Sequence, residues 1–129
     1  MPTTSASRVR ACRWRNTAAS KPARTMARFD VYSHPDTALR KATPYLLDMQ
    51  NSYLDDLATR VVMPLRASAL VSLRIRDLNP SFNIAGRDVV LDAAALAAFP
   101  AAELRTPVTN LGPQADTLLA ALDTLFGGY

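Results

Sequence analysis

The sequence predicts a mainly β fold closed by a single C-terminal helix, as a small antiparallel barrel or curled sheet. Three observations predict it. Short runs of aromatic and β-branched residues alternate with turn residues through the middle of the chain. Only the last fifteen or so residues carry a sustained helical period. And 129 residues, 49% of them hydrophobic, suit one domain with one small core.

Residues 29–32, Phe-Asp-Val-Tyr, alternate apolar and polar and read as the first strand. Ser33-His34-Pro35-Asp36 is turn chemistry. Residues 44–50 read as a second strand, largely buried. Residues 60–65 read as a third, with Pro64 expected to end its ladder. Between them, residues 51–59 suit a hairpin tip or a helical turn. Asn79-Pro80 is a turn, and Ala85-Gly86-Arg87 links strands at 82–84 and 89–91 in a short hairpin. Residues 106–109 suit an edge strand. Pro113 is placed to open the last helix, where its missing N–H costs nothing. Asp116 suits the positive end of the helix dipole. Ala115, Leu118, Leu119, Leu122, Leu125 and Phe126 recur on one apolar face before Gly127-Gly128 stops the helix.

The charge is unevenly placed. Residues 1–25 hold Arg8, Arg10, Arg13, Arg15, Lys21 and Arg24 and no acid. Of 15 basic and 11 acidic residues, nine basic and all the acidic ones follow, so the body carries −2. That balance gives no footprint for gripping phosphates. Residues 1–25 lack apolar periodicity and are expected to be a disordered basic extension. Met26, followed at once by the first strand pattern, is expected to be the true start of a domain covering 26–129. Cys12 is the single cysteine, which suits a reducing cytoplasm. No apolar run reaches the length of a membrane span.

No catalytic or metal-binding constellation emerges. Asp55 and Asp56 are adjacent, so their side chains point apart, and they read as a solvated loop. His34 is the lone histidine and reads as a structural turn residue. One His and one Cys cannot build the usual zinc site, and no cofactor is implied. Arg74 and Arg76 read as the wet side of a strand or short helix.

Taken in order, residues 28–129 resemble the CcdB family of toxins. Phe29-Asp30-Val31-Tyr32 matches the family's opening strand. Asp48-Met49-Gln50, followed ten residues later by Arg60-Val61-Val62-Met63-Pro64-Leu65, is the most specific block. Leu78-Asn79-Pro80, Ile84 and the closing Leu125-Phe126 and Gly128 complete the set. The resemblance implies an SH3-like barrel of the type shared with MazF, working as a cytoplasmic homodimer joined near Leu125 and Phe126. It implies a poison of DNA gyrase, bound through the gyrase A subunit, and not an enzyme. It also implies neutralisation by a CcdA-like ribbon-helix-helix antitoxin, through which alone the pair reaches operator DNA and represses its operon.

By resemblance, the gyrase-binding tip is Gly127, Gly128 and Tyr129. The antitoxin-facing positions are Tyr53, Leu54 and Asp123. The family ends in Trp-Gly-Ile, and its Trp stacks on a gyrase arginine; here Gly127 stands at that position, and the only tryptophan is Trp14. Two other readings follow. One is an endoribonuclease, as in the MazF and Kid toxins that share the barrel. The other is an inactive relative that only binds antitoxin.

Overall fold

The computed structural model describes residues 26–127. The expected extension at 1–25, and Gly128 and Tyr129 of the expected tip, lie outside the described residues. Among the described residues, seven strands form one antiparallel sheet: β1 (Asp30–Ser33), β2 (Tyr45–Asp48), β3 (Thr59–Ala67), β4 (Ser81–Ile84), β5 (Arg87–Leu91), β6 (Ala97–Pro100) and β7 (Pro107–Asn110). Their order is β4-β5-β3-β2-β1-β7, with β6 also on β3. The sheet is a half-barrel, closed at one end of the chain by helix α1 (Ala115–Phe126). This is the mainly β fold with a C-terminal helix that the sequence predicts.

The long strand β3 organises the sheet. One edge pairs with β2 through Val62–Leu65. Its other edge pairs first with β6 through Thr59–Val62 and then with β5 through Leu65–Ala67. Pro64 stands where this second edge changes partner. Its carbonyl accepts from the Asp92 N–H at 2.9 Å on that edge. The N–H and C=O of one strand residue face the same edge, so the missing donor of Pro64 falls in the gap and breaks nothing. The ladder therefore does not end at Pro64, as expected, but continues to Ala67.

Both faces of the central strands are covered. Val31, Leu47, Met63, Leu65, Val89, Leu91, Leu111, Leu118 and Ala121 belong to the larger core. Their chain neighbours Tyr32, Leu46 and Val62 point the other way, into a second cluster with Met26 and Leu104. All of β2 is buried in consequence. Alternation alone predicts that only one of Val62 and Met63 faces a core; both do.

Other departures have local causes. The first strand starts at Asp30 because Phe29 takes a φ of +73°, outside extended geometry. The β4–β5 hairpin turns on two residues, Ala85 and Gly86, both at positive φ, while Arg87 already belongs to β5. Pro113 lies in a 3-10 turn (Gly112–Gln114) that precedes α1 and does not itself open it. Arg74 and Arg76 sit in irregular chain, neither strand nor helix, with Arg74 bonded to the Ser68 carbonyl and hydroxyl.

Candidate functional site

The end of α1 gathers four of the residues that the sequence marks for function. Leu118 and Ala121, three apart, are buried against the core, and Leu122 packs beside them. Leu125 is half-buried one turn further, but Phe126 has rotated off this seam and is 67% exposed. Phe126 thus presents an aromatic ring to solvent at the helix end. Gly127 then takes left-handed geometry, φ +66° and ψ +48°, and its N–H bonds the Asp123 carbonyl. This is the glycine C-cap that the sequence predicts. Asp123 exposes its side chain on the same turn.

Tyr53 and Leu54 lie elsewhere, on a 3-10 turn (Ser52–Leu54) between β2 and β3. The Asn51 side chain caps that turn by accepting from the Tyr53 N–H at 2.9 Å. Tyr53 is 87% exposed and Leu54 is partly so, which leaves an aromatic ring presented to solvent. Among the described residues, no hydrogen bond joins this turn to α1.

A buried cation holds the turn in place. Arg60 and Asp48 face each other across the β2–β3 strands, with side chains fully buried. Arg60 Nε donates to Asp48 Oδ2 at 2.9 Å and Nη2 donates to Oδ1 at 3.0 Å, a two-pronged pair. Nη2 also donates to the Gln50 carbonyl at 3.0 Å, and Nη1 to the Leu54 carbonyl at 3.3 Å. The guanidinium thus links the core carboxylate to both ends of the exposed turn. Burial pushes the Asp48 carboxyl above its ordinary range, against the downward pull of the Arg60 and Gln50 hydrogen bonds. The sequence reading missed this role. The signal was present in a charge inside each of two strand-like runs, Tyr45-Leu46-Leu47-Asp48 and Arg60-Val61-Val62-Met63. Two buried charges of opposite sign on neighbouring strands have to pair.

His34 is buried, and its ring meets Phe99 edge-on at 5.9 Å. Desolvation lowers its pKa, against the nearby carboxylate of Asp36. Asp55 and Asp56 lie on the loop after Tyr53-Leu54, as expected. Among the described residues, no group of three His, Cys, Asp or Glu side chains could hold a metal ion. Nor, among the described residues, is any helix long and apolar enough to cross a membrane.

The family model for CcdB protein matches residues 28–128, from the strand that follows Arg28 to the capped end of α1. The chain belongs to the CcdB family. A search of curated proteins gave no match. CcdB proteins are toxins of toxin–antitoxin systems, poisons rather than enzymes in their own right, and membership assigns this chain to the toxin side. The match includes both the Asp48–Arg60 block and the helix end, so the exposed turn and the exposed Phe126 are features of a CcdB chain.

Proposed function

We propose that this chain, over residues 26–129, is a homodimeric cytoplasmic toxin that poisons DNA gyrase by binding its A subunit. Gly127, Gly128 and Tyr129 of both chains form the gyrase-binding tip. Leu125 and Phe126 join the two chains beside it. Tyr53, Leu54 and Asp123 receive a CcdA-like ribbon-helix-helix antitoxin, and the complex represses its own operon through the antitoxin's DNA-binding head. The observation that carries this reading is the CcdB match running through residue 128, past an exposed Phe126 and a capped Gly127. Apolar surface at the end of the helix is what a second copy would cover.

The tip lacks the family's Trp. Stacking on a guanidinium contributes about 0.5–2 kcal/mol, so gyrase binding is expected to weaken by a factor of about 2 to 30. Supercoiling and DNA cleavage by purified gyrase test the reading. The full chain inhibits, deletion of Gly127 to Tyr129 abolishes inhibition without unfolding the barrel, and Gly127→Trp strengthens it where gyrase buries the ring. A truncated chain that inhibits as well as the full one removes the tip from the mechanism. Absence of inhibition by the full chain, with antitoxin still bound, favours the second reading, a relative that only binds antitoxin; Gly127 in place of Trp is the observation behind it.

A further inference from the structure

A groove of about 640 Å³ opens on the side of the sheet formed by the β1 turn, β6 and the segment before β7. That is the size that small-molecule sites occupy. It is separate from α1 and from the Ser52–Leu54 turn. Its wall includes His34, Asp36, Arg40, Phe99, Glu103 and Arg105.

His34 is the informative member. It is 7% exposed. The Asp36 backbone N–H donates to its Nδ1 at 3.0 Å, so Nδ1 keeps its lone pair and Nε2 carries the proton. Among the described residues, no atom accepts from Nε2–H. A buried donor without a partner is costly, and a ligand that accepts from it removes that cost. Two cations stand on the same wall. Arg40 Nε donates to the His34 carbonyl at 2.6 Å, which fixes the guanidinium beside the ring and leaves its two terminal nitrogens unbonded among the described residues. The guanidinium of Arg105 is likewise unbonded there, and neither arginine pairs with Asp36 or Glu103. Charges that line one groove without pairing are available to a ligand.

We propose that this groove binds a small ligand carrying a single oxyanion group, which accepts from His34 Nε2–H and from Arg40, with Arg105 as the second cation. A planar, forked donor beside a fixed N–H is the usual means of holding a phosphate or carboxylate. The carboxylates of Asp36 and Glu103 repel further negative charge, which disfavours a polyanion such as nucleic acid.

His34 is the only histidine in the chain, so its ring signals are unambiguous by nitrogen-detected NMR. Inorganic phosphate is titrated into the full chain at constant ionic strength, with chloride as the control. The expected result is a saturable shift of the His34 Nε2 signal with phosphate and none with chloride. Arg105→Gln weakens the response, and Arg40→Gln weakens it about tenfold or more, as expected for a lost charge-assisted bond. Arg105→Gln, on an exposed residue, decides the case where Arg40→Gln disturbs the turn. A His34 signal that phosphate leaves unmoved overturns the proposal, as does an Arg105→Gln chain that titrates like the wild type.

Discussion

Replacing Arg60 with Met tests the buried clamp and sets its magnitude. Met matches much of the arginine stem but carries no charge. Asp48 then stays buried with the Gln50 N–H, at 2.9 Å, as its remaining side-chain hydrogen bond. Removing one partner of a buried ion pair costs about 3–5 kcal/mol, because the other charge is left uncompensated. The Gln50 and Leu54 carbonyls lose donors at partly wet positions, which adds about 1 kcal/mol. Against a typical stability of about 5–15 kcal/mol, a loss of about 4–6 brings the chain near the edge of folding. Urea unfolding at neutral pH measures it.

The pH dependence of the variant has a definite sign. Burial already raises the Asp48 pKa, and loss of Arg60 raises it further. A raised native pKa gives a contribution that is full below the ordinary carboxylate value and is lost as pH rises through the native one. The deficit of Arg60→Met is therefore largest at neutral pH and shrinks on acidification. Adding Asp48→Leu removes the orphaned charge and recovers most of the loss. A single variant within about 1 kcal/mol of wild type, or a double variant no better than the single, refutes the reasoning.

Phe126→Asp is expected to leave the fold of each chain intact, since the ring is mostly exposed, while sedimentation shows the proposed dimer replaced by monomer; a persisting dimer places the interface elsewhere. Val62→Asp and Met63→Asp should each unfold the chain, at a cost above about 4 kcal/mol, because the two side chains enter opposite cores. Circular dichroism that finds either one folded contradicts the two-sided sheet. Desolvation holds the His34 pKa below its ordinary value, so its contribution is full above about 6.5 and is lost as pH falls through the native value. The melting-temperature difference between wild type and His34→Gln should therefore narrow or reverse on acidification, and a difference constant with pH counts against a buried neutral ring.

Most of the fold was legible because its signals are local. The alternation of Asp30-Val31-Tyr32, the turn residues at Ala85-Gly86, and the stop at Gly127 each report on a few neighbouring residues. Strand β6 was not legible. Its Ala97-Ala98-Phe99-Pro100 has little β propensity, and only pairing with Thr59–Val62 makes it a strand. The second core was hidden for the same reason. Val62 reads as the outer face of a strand until Met26 and Leu104, distant in sequence, arrive to cover it. The helix face was nearly right, but Ala121 replaces Phe126 as a buried member, because the seam follows Leu118, Ala121 and Leu122. The sites divide likewise. The candidates Tyr53, Leu54, Asp123 and Phe126, proposed from the sequence, are exposed, whereas the Arg60 clamp and the His34 groove depend on contacts between segments that periodicity does not reveal.

Gly127 shows why the tip of this chain cannot be reasoned about one residue at a time. Its left-handed backbone satisfies a carbonyl in the last turn of the helix, and a side chain there is strained by about 1–2 kcal/mol. Space is not the obstacle, since nothing lies within 4 Å of where a Cβ would stand. A Trp at 127 therefore sets about 0.5–2 kcal/mol of stacking against a backbone cost of the same size. It gains clearly only if the ring is buried as an anchor, where truncation costs about 2 kcal/mol or more. The loss of the family's Trp and the presence of a good helix stop are thus two consequences of one residue. On the proposed gyrase reading, a strong rescue by Gly127→Trp implies that the target buries the ring. A weak rescue with undiminished antitoxin binding implies that this chain has exchanged grip on its target for a well-capped helix.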